Sequence, residues 1–390
     1  MYSLFSQLAN SLGNVMLTFV VARHASQAGY GAWALGYAAF MMAIAVARAV
    51  AGTPLLLHRH ASDDEIRAQG GGSVGIATIV GVVGSLALLG AALLATSARS
   101  GLWPFALVLP ILLAQDAVRY VAFTRQRPTH AALMDSSWLL LQACAFVLLE
   151  LTQQADATSI TIAWGLCAAP SLLWQVVRGR LHIRPSAVVI FWQSARANAL
   201  KLLADAAVAT GVAQALPVVV AVAAGLAAAG ALRGGLTLIG LVNILVAGLT
   251  PMATLAARHE HDTMGSTRRF LIRWTMLLGL ASLAFGGLIF LIPDHLGRQL
   301  LGVSWLAASA LLLPLVLQSM VRGPYTGVPI ALRATDRVGD ALRLRLWTTI
   351  PSLAFPWGGA LIAGANGAAW GIFASAVAAN ALSIRMTRLI

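Results

Sequence analysis

The sequence predicts an all-α, polytopic membrane protein of about twelve transmembrane helices in two parallel six-helix repeats. Three observations carry that expectation. The 390 residues are 59% hydrophobic and only 10% charged, against about 25% charged in an ordinary soluble domain. Mean hydropathy is +0.81, and no soluble fold of this length has interior enough to hide so much apolar surface. Apolar segments recur near 3–22, 31–57, 72–95, 102–123, 132–151, 159–177, 199–222, 229–253, 270–292, 304–326, 343–364 and 367–385. Most are close to the ~20 residues a spanning helix needs, and in hydrocarbon a helix satisfies its own backbone where an open strand does not. The third observation is charge asymmetry. Nineteen of the 26 Lys and Arg fall in alternate loops and termini, from Arg59 and Arg67 to Arg385 and Arg388, while the opposite loops hold only Arg23, Arg99 and Arg298. That asymmetry places both termini in the cytoplasm of a cell-membrane protein. The net charge of +13 then reads as topology plus attraction to anionic lipid. Nucleic acid is not expected as a partner, because no basic patch sits on a soluble domain.

The repeat is legible in two places. Leu109–Tyr120 (LPILLAQDAVRY) and Leu313–Gly323 (LPLVLQSMVRG) align at Leu-Pro, Gln and Val-Arg with a one-residue gap. Gly31-Ala32 and Thr53-Pro54 bracket the second segment as Gly230-Ala231 and Thr250-Pro251 bracket the eighth. The offset is six segments, and six is even, so the copies share one orientation. The expected division is a six-helix bundle over 1–177, a cytoplasmic interfacial linker over 178–198, and a second bundle over 199–390. The linker mixes Arg with Val, Ile, Phe and Trp, as an interfacial segment does.

The polar residues inside these segments follow in chain order. Gln7, Asn10 and Asn14 share one face of the first helix, which must meet protein or cavity rather than lipid. This helix opens almost at Met1 without a charged n-region, and no small-x-small site precedes Arg23, so a cleaved signal peptide is not expected. A start codon placed too late, with loss of a short cytoplasmic tail, is the expectation. Arg48 lies late in the second helix, too deep to snorkel easily, and either lines a cavity or joins a buried pair. Asp116 and Arg119 lie i,i+3 on one helix face. They read either as a self-neutralising pair or as part of a charged mouth. Asp205, in the seventh helix, is a candidate for coupling-ion binding or for pairing with Arg48 or Lys201. Arg233 opens the eighth helix and either snorkels or faces substrate. Arg322, the counterpart of Arg119, has Ser319 where its twin has Asp116, and is a candidate free cation.

Other patterns stay structural. Cys144 and Cys167 fall in apolar segments and read as packed thiols, not a disulfide framework. The HRH and RHEH loops at 58–60 and 258–261 lack a metal complement. Gly70–Ser73 is no phosphate loop, since no Gly-Lys-Thr/Ser follows. Gly71/Gly75, Gly230/Gly234 and Gly367/Gly371 have the spacing of close helix packing. No catalytic residue, cofactor or metal is expected, and the short outer loops leave no room for an enzyme's chemistry.

Several stretches resemble one family in order along nearly the whole chain. These are Ser6–Ser26, Tyr30–Leu56 with an Arg before Gly-x-Pro-Leu-Leu, and Leu112–Trp138 with its basic loop and Asp-x-x-Trp. Gly230–Leu245 and Leu291–Trp305 complete the series. The chain resembles the polysaccharide-biosynthesis (O-antigen-type) flippases of the multidrug/oligosaccharidyl-lipid/polysaccharide exporter superfamily, closest to their actinobacterial type. It departs from them at Thr53, where an acid is expected. The resemblance implies a flippase moving a polyprenyl-pyrophosphate-linked oligosaccharide to the outer leaflet by alternating access. Its substrate contacts would be Arg48, Arg119, Arg322, Arg233, Gln7, Asn10 and Asn14. Its partners would be the lipid-linked glycan, membrane lipids, and a glycan polymerase or glycosyltransferases. Two alternatives stand beside it: a cation-coupled multidrug antiporter of the same fold, and a non-transporting scaffold of a glycan assembly complex.

Overall fold

The computed structural model describes residues 2–57, 62–259, 264–321, 328 and 338–387. Among them every regular element is helical, so the all-α expectation holds. The chain divides into two compact units, 1–214 and 215–390. Eight of the described helices are long and apolar enough to cross a bilayer, or nine if the pair Asp294–Ser309 and Leu312–Val321, bent by 82°, counts as one. Two of the eight, Pro185–Gly240 and Arg343–Arg385, run 56 and 43 residues, about twice what one span needs. The first breaks at Gly225, whose φ is 86°, and the second at Ala363 and Gly364, where φ reaches 57°. Each therefore carries two of the expected segments. Leu94 and Ile362 are each 89% exposed, the sign of a chain whose solvent is hydrocarbon rather than water.

In the first unit the helices are α1 (Tyr2–His24), α2 (Gln27–Ala47), α3 (Thr53–Leu57), α4 (Asp63–Leu94), α5 (Arg99–Thr124), α6 (Pro128–Leu151), α7 (Ala157–Leu166) and α8 (Ala169–Arg178), followed by α9 (Pro185–His259). α4 starts well before its apolar stretch. Ser62 accepts from the Glu65 N–H, and Asp63, Asp64 and Glu65 occupy the first turn, where acids suit the exposed N–H groups. The sixth apolar segment is divided into α7 and α8 at Cys167–Ala168, with Pro170 in the first turn of α8. Cys144 corrects the packed-thiol expectation, since it is exposed. An outward-facing thiol costs little when lipid is the solvent.

The core of this unit is aromatic. Trp33, Tyr37, Phe40, Phe105 and Trp164 touch ring to ring, with centroids 5.1–6.3 Å apart. Two indoles are tied inside: Trp33 Nε1 donates to Thr161 Oγ1 at 2.9 Å, and Trp138 Nε1 to the Trp164 carbonyl at 2.9 Å. The segment after α8 packs on α4. A Cβ on Gly71 would lie 2.2 Å from the His182 carbonyl oxygen, and one on Gly72 would lie 2.4 Å from that of Ala187. The glycine run at 70–72 thus lets two backbones meet, as the packing reading expects.

The second unit continues with α10 (Met264–Phe290), α11 (Asp294–Leu301), α12 (Trp305–Ser309), α13 (Leu312–Val321) and α14 (Val338–Thr387). α13 packs against both α10 and α14. Asn380 donates to the Val321 carbonyl. Trp305 Nε1 donates to Asp294 Oδ1 at 2.9 Å.

Candidate functional site

Four charged residues of the first unit, Arg48, Asp116, Arg119 and Asp135, converge on one cluster built by four helices. α2 delivers Arg48 at the point where its helical pitch changes. Arg48–Gly52 forms a π turn, with the Thr53 N–H bonded back to the Arg48 carbonyl. Pro54 lies just downstream, and a proline removes a donor and crowds the carbonyl four residues back, which favours a widened turn. Carbonyls at such a break must be satisfied inside a bilayer. Ser73 of α4, fully buried, donates to the Ala51 carbonyl at 3.1 Å. Gly52 lies flat against Tyr120 of α5, where a Cβ would come within 2.9 Å of the ring. π turns concentrate at functional positions, and this one aims Arg48 at α5.

There Arg48 meets Asp116 in a two-point contact, Nε to Oδ2 at 2.8 Å and Nη2 to Oδ1 at 2.8 Å. Paired planar donors on a carboxylate are the strong geometry for this interaction. Arg119, one turn on, donates to the same Oδ1. Its Nη1 also lies 3.7 Å from Oδ2 of Asp135 on α6. Asp135 in turn accepts from the Ser6 hydroxyl of α1. The side chains of Asp116, Arg119 and Asp135 are 5%, 6% and 0% exposed, whereas Arg48 is 36% exposed. Two guanidinium groups and two carboxylates balance, as burial of charge in a low-dielectric interior requires.

The exposed face of Arg48 opens into a cavity of about 200 Å³ inside the first unit. Asn10 and Asn14 of α1, Gln115 and Asp116 of α5, Phe40 and Trp138 also line it. Asn14 Nδ2 donates to Asn10 Oδ1 at 3.2 Å. Among the described residues, Asn14 Oδ1 and the amide nitrogen of the buried Gln115 have no hydrogen-bond partner. Arg48 spends two of its guanidinium donors on Asp116, out of the five that a guanidinium carries. Among the described residues Asp116 is the sole carboxylate in the lining, and both of its oxygens already accept from guanidinium groups. Among the described residues the cavity therefore offers a cationic edge, amide groups and aromatic edges, with its carboxylate already engaged.

The residues singled out in the sequence fare differently. Arg48, Asn10, Asn14 and Asp116 come together at this cavity. Arg119 lies behind Asp116, outside the lining, and ties the two aspartates together. Arg233 lies in the second unit on α9, half-buried, with its carbonyl accepting from Thr237. The side chains of Gln7 and Asp205 lie outside the described residues, as do Arg322, the histidine loop at 58–60, and residues 260 and 261 of the other. Ser6, Gln115 and Asp135 were missed. Asp135 was visible within the Asp-x-x-Trp stretch, and Gln115 precedes Asp116, but neither carried a periodic signal of its own.

No family model matches the sequence, and no curated protein matches it. Solved structures do. The chain is similar to the inward-facing conformation of a multidrug resistance MATE family transporter of the MOP superfamily, with a TM-score of 0.77 and 13% identity, over 97% of this chain and 94% of that one. It is similar to the lipid II flippase MurJ in an inward closed conformation, with a TM-score of 0.64 and 12% identity, over 99% and 87%. A third likeness is to a MOP superfamily transporter from Pyrococcus furiosus, for which reverse polarity of the binding pocket suggests a different function. It has a TM-score of 0.59 and 13% identity, over 100% and 93%. This chain has the fold of these transporters and is a multi-pass membrane protein.

Proposed function

We propose that the protein is a flippase that carries a polyprenyl-pyrophosphate-linked oligosaccharide or polysaccharide precursor from the cytoplasmic to the outer leaflet by alternating access. The observation that carries this reading is the polarity of the first-unit cavity. Its accessible charged group is a guanidinium edge, set among amides and aromatic side chains. Arginine suits phosphate because its fork matches the oxygen geometry and stays charged. Asparagine, glutamine and tryptophan suit sugar hydroxyls and ring faces. The likeness to a lipid II flippase supports the same class of substrate.

In this mechanism Arg48 provides the first fixed charge that a phosphate meets, while Asp116 and Arg119 hold its guanidinium in place. Asn10, Asn14 and Gln115 contact the sugar. The lipid tail stays in the bilayer, so the protein needs only to shelter the polar head. The membrane potential favours outward movement of an anion, by about 2.3 kcal/mol per charge at ~100 mV.

A cation-coupled drug antiporter of the same fold is the second reading, supported by the likeness to a MATE transporter. It needs a carboxylate that a cation can reach. At this cavity the cation would have to displace Arg48 from Asp116, which makes the reading weaker here.

The test is the distribution of lipid-linked glycan across the membrane in a deletion strain complemented with wild type or Arg48→Ala. The expected result is precursor stalled on the cytoplasmic side in the deletion, and still stalled with well-expressed Arg48→Ala. An unchanged distribution in a deletion strain free of other flippases, combined with loss of drug resistance, would replace the glycan reading with the antiporter one.

A further inference from the structure

Outside the cluster, the first unit carries a second concavity of different chemistry. Leu133, Met134, Ser137 and Leu141 of α6 face Pro170, Ser171 and Trp174 of α8 across a groove of about 300 Å³. Positions 133, 134, 137 and 141 form one stripe at helical spacing. Its two hydroxyls make no demand on an occupant. Ser137 Oγ donates to the Met134 carbonyl at 2.9 Å, and Ser171 Oγ to that of Ala168 at 2.9 Å. The groove thus presents hydrocarbon alone. From Leu133 to Leu141 the helix rises about 12 Å, within one leaflet of the roughly 30 Å hydrocarbon core.

One end of this groove is cationic. Trp174 closes it, with the Arg178 guanidinium 5.6 Å from its ring centroid and the His130 ring 6.0 Å away. Arg127 and Arg180 flank that end in sequence. Arg125 beside them is engaged, 3.2 Å from Asp63. Among the described residues Arg127, Arg178 and Arg180 make no ion pair. An apolar slot one leaflet deep, capped at one end by unpaired arginines and an interfacial tryptophan, has the charge pattern of a single phospholipid with an anionic head.

We propose that the α6–α8 groove is a binding site for an anionic phospholipid. One acyl chain lies along Leu133, Met134 and Leu141, and the headgroup phosphate sits at Arg178 and Arg127. The site is separate from the Arg48 cavity, and the inference does not rest on the identity of the transported molecule. A basic side chain near an anionic headgroup adds about five-fold to binding.

The full-length protein in phosphatidylcholine nanodiscs tests this directly. Brominated phosphatidylglycerol or brominated phosphatidylcholine is added in steps, and the Trp174 contribution is taken as the difference between wild type and Trp174→Phe. The expected result is half-quenching of Trp174 at a several-fold lower mole fraction of the anionic lipid. That preference should disappear in Arg127→Gln/Arg178→Gln while quenching by bulk lipid remains. Both side chains are exposed, so the variant should fold, and a monodisperse elution profile checks it. Equal quenching by the two lipids in wild type would overturn the proposal, because the groove would then hold bulk lipid only. A preference that survives in the double variant would also overturn it. So would displacement of the brominated lipid by polyprenyl phosphate more readily than by phosphatidylglycerol, which would make the groove a path for an isoprenoid tail.

Discussion

The α5 segment around Asp116 and the α13 segment around Ser319 share a pattern, yet their interiors differ. Both start from Leu-Pro and place a glutamine before the position in question. In α5 that position is Asp116, buried and holding two arginines from different helices. In α13 it is Ser319, also buried, whose hydroxyl returns to its own helix by donating to the Leu315 carbonyl at 3.1 Å. The glutamines diverge as well. Among the described residues Gln115 leaves its amide nitrogen unpartnered at the cavity, while Gln318 accepts from Ser319 at 3.4 Å. Among the described residues, the α5 segment thus makes a buried charge the meeting point of four helices, and the α13 segment closes its polar group locally.

The largest break in this comparison should come from Asp116→Ser, which writes the second pattern into the first. It leaves two adjacent guanidinium groups without their shared acceptor. Removal of one partner from a buried ion pair costs about 3–5 kcal/mol, so thermal unfolding in detergent should fall sharply or the protein should fail to accumulate. Adding Arg48→Gln to Asp116→Ser should recover part of that loss, because one orphaned charge goes with it. Stability equal to wild type in Asp116→Ser would show that the network does not hold the helices together.

Asp135→Asn should come next. It keeps an acceptor for Ser6 but leaves the cluster with an excess positive charge. A loss of about 1–3 kcal/mol is expected from denaturant or thermal unfolding. Arg48→Lys is a subtler probe. It retains charge but loses the fork that engages both oxygens of Asp116, so transport should fall while expression holds. Expression and transport both at wild-type level would sink the idea that the fork geometry matters.

The smallest effects sharpen the contrast. Ser73→Ala should cost about 0.6 kcal/mol, the average for a hydrogen bond between membrane helices, since it removes the donor to the π-turn carbonyl at Ala51. Ser319→Ala should lie within about ±0.5 kcal/mol, because a back-bonded hydroxyl ties no second helix. A larger loss for Ser319→Ala than for Asp135→Asn would reverse the comparison.

The candidate site was partly legible. The i,i+3 spacing of Asp116 and Arg119 states their contact outright, because helix geometry makes such residues neighbours. Asn10 and Asn14 likewise share a face by spacing alone. Arg48 stood out by its depth in an apolar segment, but its partner did not. Arg48 and Asp116 are 68 residues apart, and nothing local links them. The π turn that aims Arg48 depends on Pro54 downstream, on Gly52 against Tyr120, and on Ser73 from another helix. Two of those three conditions are tertiary contacts.

The sequence by itself determined the solvent, the helical class and the expensive residues. Hydropathy over spans of bilayer length is a local property, and a charge in an apolar run is costly whatever surrounds it. Only the tertiary structure decided how that cost is met: Asp116 shared by two arginines, Asp135 joined through Arg119 and Ser6, and a cavity left facing a guanidinium edge. Pairing energies depend on distance between groups that the chain brings together from far apart, so the charges are visible in sequence while their neutralisation is not.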